Sequence, residues 1–277
     1  MLLSEEQVRH YRERGFVVVD SLFGPEQVES LRESFRRDGE IPGEHRIVED
    51  DGRAVRAVYA SHRRQPEFAA LVRHPGVLGP VRQLLEAEVY VYQFKINAKP
   101  AMGGGGWAWH QDFAAWRIAD NLLAPRLVNV GVFLDDVTEF NGPVIFVPGS
   151  HRDGLVRDGR SQASARSAQH LDPDDIALKP ADMVALAAEH GMDSPKGAAG
   201  SVIFFDPEIV HGSAPNMSPF DRRLLILTYN DVTNEPRPLG EPRPDYVVCR
   251  DTTPLRVLDD AHDTDDVPVL AGVGEAV

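Results

Sequence analysis

Three side chains in this sequence have the types and spacing of a metal site. His110 and Asp112 stand two residues apart in "WHQDFAAW", and His211 follows much later, at the end of the apolar stretch "SVIFF". On extended chain, residues i and i+2 project to the same side, so His110 and Asp112 can aim at one point. Two imidazoles and one carboxylate held on a rigid barrel form the facial triad that suits non-haem Fe(II), with the opposite positions left open for a co-substrate and O2. The same three ligands also suit a catalytic zinc. By itself His-x-Asp is weak evidence, and an ordinary hydrogen-bonded surface pair explains it better. Context favours metal: the pair leads into a strand-rich region, and His211 opens "HGSAPN" directly after a strand.

Further groups lie around this triad. Arg222 begins the strand "RRLLILTYND" and shares a face with Leu224, Ile226 and Thr228; a guanidinium there can clamp a carboxylate through two hydrogen bonds. In "EVYVYQFKIN" the alternation places Gln93, Lys95 and Asn97 on one face, opposite Phe94 and Ile96. Lys95 can there meet an anionic group. Trp109 and Trp116 flank the His-Asp pair and are candidate walls for an apolar substrate, with core packing as the competing explanation. Four glycines, Gly103 to Gly106, precede the pair. No Gly-Lys-Ser/Thr follows, so a phosphate-cradling loop is not expected. The run reads instead as a bend that needs small volume and unusual dihedrals.

These residues need a scaffold. Ser4 followed by acidic residues reads as a capped helix start, and Gly15 as its end; "FVVVD" is a strand. Pro25 opens a second helix through Val28, Leu31 and Phe35. Helical segments are expected near Pro66–Val72 and Val77–Leu85, which makes residues 1–87 a mainly helical N-terminal part. From residue 88 to 250 the texture is that of short strands and turns, as in an antiparallel sandwich or barrel. "RLVNVGVFLDD" places Val128, Val130, Val132 and Leu134 on one side. Residues 151–198 read as an insertion between strands with the length of a lid, and 260–277 as a loosely packed tail. One domain over 1–277 accommodates all of this.

Bulk composition removes several function classes. Asp and Glu number 43 against 29 Lys and Arg, for a net charge of −14, so neither nucleic acid nor an anionic membrane is an expected partner. The single cysteine, Cys249, permits neither an intrachain disulfide nor a thiolate metal site. No signal peptide and no membrane-spanning run are legible, so a cytoplasmic location is expected.

"WHQDFAAW", "NVGVFLDDVTEFNGPVIFVPGSH", "HGSAPNMSPFDR" and "LTYND" resemble the phytanoyl-CoA dioxygenase superfamily, in particular its bacterial branch of ectoine hydroxylase, proline 4-hydroxylase and leucine 5-hydroxylase. The resemblance runs from the N-terminal helices to "RDTTPL". It is strongest to the leucine 5-hydroxylase, through "HRI", "EDDGR", "YASH" and "EPRPDY". It implies a mainly β fold with N-terminal helices and a double-stranded β-helix (jelly-roll, cupin-like) core. It also implies Fe(II), 2-oxoglutarate and O2 as the cofactor set. On that basis His110, Asp112 and His211 hold the iron. Arg222 binds the far carboxylate of 2-oxoglutarate beside Ser213, with Gln93 and Asn97 near the co-substrate. Arg243 holds the substrate carboxylate, while Tyr59 and Val58 close the pocket. The implied reaction couples decarboxylation of 2-oxoglutarate to hydroxylation of an unactivated C–H. The expected substrate is a small free L-amino acid, aliphatic and leucine-like, in specialised metabolism such as antibiotic biosynthesis. A cyclic imino acid (proline, pipecolate) or ectoine is the alternative within the class. A zinc hydrolase and a non-catalytic binding barrel are the alternatives outside it. Retention of Asp112 favours hydroxylation over chlorination, and Ala114 and Ala115, where relatives carry larger or polar residues, are expected to widen the pocket.

Overall fold

Strand β4 (Val89–Lys99) carries Gln93, Lys95 and Asn97, and it pairs with the strands that carry Tyr59 and Arg222. The computed structural model describes residues 1–49, 52, 54–156 and 176–258. Its larger sheet is antiparallel and has seven strands in the order β1-β8-β6-β10-β4-β3-β2. These are β1 (Phe16–Val19), β2 (Arg46–Val48), β3 (Val55–Tyr59), β4, β6 (Leu127–Phe133), β8 (Val202–Phe205) and β10 (Arg222–Asp231). A smaller sheet of β5 (Trp107–His110), β7 (Val144–Phe146) and β9 (His211–Ser213) has the order β5-β9-β7. This is the double-stranded β-helix architecture expected from the motifs.

Strand alternation divides the larger sheet into two faces. One face presents Val128, Val130, Val132, Phe94, Ile96, Leu225 and Leu227 to the N-terminal helices. Those helices are α1 (Glu5–Arg14), α2 (Pro25–Glu40), α3 (Pro66–Leu71) and α4 (Pro75–Leu85). They complete the core with Val28, Leu31, Phe68, Val77, Leu78 and Val81. Leu134 also lies in this cluster, as its spacing predicts. Ser4 caps α1 through a reciprocal pair with Gln7, and Gly15 closes the helix at φ +82°, the left-handed conformation that glycine adopts without a Cβ clash. The opposite face meets the smaller sheet. Phe133, Ile203, Phe205 and Leu224 pack there against Phe146.

Residues 1–87 contribute three strands as well as four helices. β2 and β3 are short and interrupted by charge, so their alternation is faint in the sequence. β3 nevertheless matters to function, since it pairs with β4 (Val58 with Ile96, Tyr59 with Lys95) and carries Tyr59 to the site. Residues 157–175 of the expected lid and the expected tail, 260–277, lie outside the described residues. On the far side of the insertion the chain forms α6 (Pro180–His190). No helix among the described residues is long and apolar enough to cross a membrane.

Candidate active site

His110 and His211 meet because β5 and β9 pair antiparallel with these two residues in direct register. Opposed residues of such a pair have Cβ atoms about 5 Å apart, and the two imidazole centroids are 4.3 Å apart. Asp112 joins them after one extended residue, Gln111 (φ −120°, ψ 125°). Asp112 is not on a strand: it is the first residue of α5 (Asp112–Asp120), where the helix dipole favours a carboxylate. One ligand atom from each of the three residues lies within 4.8 Å of the others.

The hydrogen bonds around the triad prepare it for a cation. His110 Nδ1 faces the Ala108 carbonyl at 2.7 Å, and His211 Nδ1 faces the Ile209 carbonyl at 3.0 Å. A carbonyl only accepts, so both Nδ1 atoms carry the proton and both Nε2 lone pairs turn to the centre. Burial, aided by His110, pushes His211 down to about 4, so its ring is neutral and able to ligate at neutral pH. Burial would raise the Asp112 carboxyl, but His211, His110 and Lys95 together hold it below the usual carboxylate range. Asp112 Oδ2 accepts a hydrogen bond from Asn129 Nδ2 at 2.9 Å, and Asn129 Oδ1 accepts one from Thr228 at 2.7 Å.

Gln111, buried between the two ligands of the motif, braces the corner. Its amide donates to the carbonyls of Glu208 (2.5 Å) and Gly154 (2.9 Å) and accepts from Val156 N (2.9 Å). The start of α5 is thereby fastened to the loop that precedes His211.

At the Lys99 end of β4 lies a buried polar cluster whose chemistry suits an anion. Arg222 is 2% exposed. It donates to the Gly142 carbonyl at 2.5 Å, and its Nε is buried without a partner. Burial lowers Arg222 to about 10, and its neighbour Asp135 is already paired bidentately with Arg223. Directly across the strand pair from Arg222 is Lys99. Its ammonium donates to Ser213 Oγ at 2.8 Å and to the Ala214 carbonyl. Burial, then Arg222 and Arg56, push Lys99 down to about 7. Asn97 is buried on the same face with Oδ1 unpartnered. Two desolvated cations without a carboxylate are costly, so an acidic co-substrate fits this corner on its chemistry. The glycines serve the same corner. A Cβ on Gly104 (φ +76°) would stand 2.8 Å from the Lys99 backbone, and one on Gly142 2.5 Å from the Ala214 carbonyl.

On the other side of the triad, a pocket of about 240 Å³ opens to solvent. His110, Asp112, Lys95, Gln93, Tyr59 and Arg243 contribute to its wall, as do Ala115 and Trp116 from α5. Arg243 is buried rather than solvated and is paired with Asp120, Nε to Oδ1 at 2.9 Å.

Several expected residues stand elsewhere. Val58 is fully buried in the core between sheet and helices, because the alternation that turns Tyr59 into the pocket turns Val58 away from it. Trp109 packs on Val147, Leu178, Met183 and Val210, and Trp107, two residues earlier, lines the pocket instead. Gln93 does not accompany Arg222. It lies six residues along β4 from Lys99, about 20 Å at the strand rise, and its amide donates to the Val247 carbonyl at 3.1 Å. Of the two alanines, Ala115 faces the pocket and Ala114 does not. Lys99, Asn129, Trp107 and Asp120 escaped the sequence reading. Lys99 continues the Gln93-Lys95-Asn97 alternation by one step, and Asn129 is a polar residue inside the apolar run "LVNVGVF"; both signals were present.

Comparison with known proteins agrees with this geometry. The family model for phytanoyl-CoA dioxygenase matches residues 11–224. L-proline trans-4-hydroxylase of Streptomyces griseoviridis is 37% identical over 268 residues, covering 93% of this chain and 96% of that relative. Ectoine dioxygenase of Nocardia farcinica is 35% identical over 258 residues, covering 90% and 86%. Among solved structures, that of EctD from S. alaskensis with 2-oxoglutarate and 5-hydroxyectoine superposes with a TM-score of 0.78 at 27% identity, covering 90% of this chain and 84% of that one.

Proposed function

Because the chain belongs to the phytanoyl-CoA dioxygenase family, we propose that it hydroxylates an unactivated C–H of a small free amino acid with an apolar side chain. It is a non-haem Fe(II)/2-oxoglutarate-dependent dioxygenase. The observation that carries the substrate class is the pocket beside the triad. It pairs a buried guanidinium, Arg243, with the apolar surfaces of Ala115, Trp116 and Val247, a combination suited to a carboxylate on one side and a hydrocarbon on the other. The similarity to L-proline trans-4-hydroxylase, 37% identical, favours a cyclic imino acid, proline above all, as the second reading.

His110, Asp112 and His211 would hold the iron. When bound, the metal supplies the oxidising chemistry that joins decarboxylation of 2-oxoglutarate to oxygen insertion. The protein's part is placement. The two backbone-fixed imidazoles present Nε2, and Asn129 keeps one oxygen of Asp112 occupied, so the other is free to ligate. Arg222 and Lys99 bind the far carboxylate of 2-oxoglutarate, with Ser213 orienting the ammonium and Asn97 beside it. Gln93, Lys95 and Arg243 orient the amino acid, and Tyr59, Trp107 and Trp116 exclude water around it.

The test is a panel of the twenty amino acids, pipecolate and ectoine with Fe(II) and 2-oxoglutarate, read by succinate release and a mass gain of one oxygen atom. Stimulation by an apolar amino or imino acid supports the reading. Turnover without O2 or 2-oxoglutarate would instead support a zinc hydrolase.

A further inference from the structure

Helix α5 carries Asp112 at its first position and Asp120 at its last. Between them Ala115 and Trp116 face the pocket. Asp120 is 2% exposed and points elsewhere: Oδ1 accepts from Arg243 Nε at 2.9 Å, and Oδ2 accepts from a second Arg243 nitrogen and from the Tyr92 hydroxyl. Arg243 lies in irregular chain after β10, so no regular element fixes its guanidinium. The end of α5 does so instead. The Asp120 carbonyl accepts from Arg237 N at 2.8 Å, and Asn121, the left-handed cap of the helix, donates to the Arg237 carbonyl at 2.9 Å. Asp120 occupies the Nε edge of the guanidinium fork and leaves terminal N–H groups of Arg243 for the pocket.

We propose that Asp120 is the positioning residue for Arg243, and that α5 is a rigid spacer fixing the distance from the metal to the substrate carboxylate, and hence which carbon is hydroxylated. This rests on the reading that Arg243 binds that carboxylate. Eight helical steps separate the two aspartates, about 12 Å at 1.5 Å per residue. A spacer of constant length selects a carbon by its position counted from the carboxylate, not from the end of the side chain. It also requires that carboxylate to be free, which excludes amides, esters and thioesters of the same acid as substrates.

The experiment compares the Fe(II)-loaded full-length protein with its Asp120→Asn, Asp120→Glu, Tyr92→Phe and Arg243→Ala variants. L-leucine, L-norleucine, L-proline and L-pipecolate are the probes. Anaerobic binding is followed by tryptophan fluorescence, steady-state constants are measured for both substrates, product position is read by NMR, and thermal unfolding checks the fold. Asp120→Asn is expected to raise the amino-acid KM about tenfold or more. The KM for 2-oxoglutarate should stay within about twofold, and a second regioisomer should appear. Asp120→Glu should restore part of both. Tyr92→Phe, which removes one hydrogen bond and keeps the charge pair, should act in the same direction more weakly, and it decides the question if Asp120→Asn does not fold. In the parent protein the hydroxyl should stand at the same carbon, counted from the carboxylate, in leucine and norleucine. If Arg243→Ala weakens binding while the Asp120 and Tyr92 variants leave KM and product position unchanged, the spacer is refuted and the carboxylate site stands. If Arg243→Ala has no effect, or no probe binds the parent, the carboxylate site falls and the spacer falls with it. Hydroxylation that tracks the chain terminus also refutes the spacer.

Discussion

The two ends of strand β4 are built on opposite principles. At the Lys99 end, donors outnumber acceptors: Arg222, Lys99 and Ser213 converge in a buried corner walled by glycines. At the Gln93 end, the polar groups are largely satisfied already, Arg243 by Asp120 and Gln93 by Val247, and apolar surface fills the gaps. On the reading proposed above, the first end takes the small, doubly charged 2-oxoglutarate. The second is tuned by packing, and its walls come from β3, β4, β5, α5 and the chain after β10.

The largest effect should come from between the two ends. Asp112→Ala removes the one anionic donor, and hydroxylation should fall to background with loss of stoichiometric Fe(II) binding, measured by chelator competition; a variant that retains both removes Asp112 from the ligand set. Next comes the Lys99 end. Truncating one member of a buried charge pair costs about 2–5 kcal/mol, so Arg222→Ala should raise the KM for 2-oxoglutarate about 30-fold or more while changing amino-acid binding little. Equal effects on both substrates would erase the division drawn here. Asn129→Ala leaves the ligands in place and removes a partner of Asp112. It should weaken Fe(II) or Co(II) binding about 10- to 100-fold and release succinate without matching product.

Lys99 gives a pH signature restricted to one end. Its folded value lies near 7, below that of a free lysine, so the ammonium is present below that pH and is lost as pH rises through it. Affinity for the 2-oxoglutarate dianion should therefore fall between about pH 7 and 8.5, by at most about tenfold per pH unit, with proton uptake on binding measurable by calorimetry in two buffers. Lys99→Met should flatten the profile. The smallest catalytic effect belongs to Val58. In the core it should cost about 1–3 kcal/mol on truncation to alanine, visible as a lower denaturation midpoint, with KM for both substrates unchanged. A change in amino-acid KM would return Val58 to the pocket.

The same contrast explains what was legible in the sequence. His110, Asp112, His211 and Arg222 could be read because they sit in motifs that resemble the family; the His-x-Asp spacing and the strand-end positions agreed with that but did not suffice alone. The Val128-Val130-Val132 and Gln93-Lys95-Asn97 alternations assign faces and mark an antiparallel sandwich or barrel, and the resemblance of the motifs narrows that to the β-helix. The pocket walls were harder. Val58 and Tyr59 differ only in which side of a short strand they take, and a shift of one residue inverts the answer. Trp107 and Trp109 share a side by spacing, and a register shift in the pairing of β5 between Trp107 and His110 separates them. Asp120 was illegible because its partner Arg243 is 123 positions away on chain without periodicity. The Lys99 corner is legible in β4 itself, since Lys99 extends the Gln93-Lys95-Asn97 alternation by one step.

The central claim is that this triad, served by the Lys99–Arg222 corner, inserts an atom of O2 into an amino acid at the expense of 2-oxoglutarate. Turnover under 18O2 with the most active member of the substrate panel tests it most directly. The account predicts one 18O atom in the hydroxylated amino acid, one in succinate, and the two products in equal amount. Product oxygen drawn from water, or product formed without succinate, would contradict it.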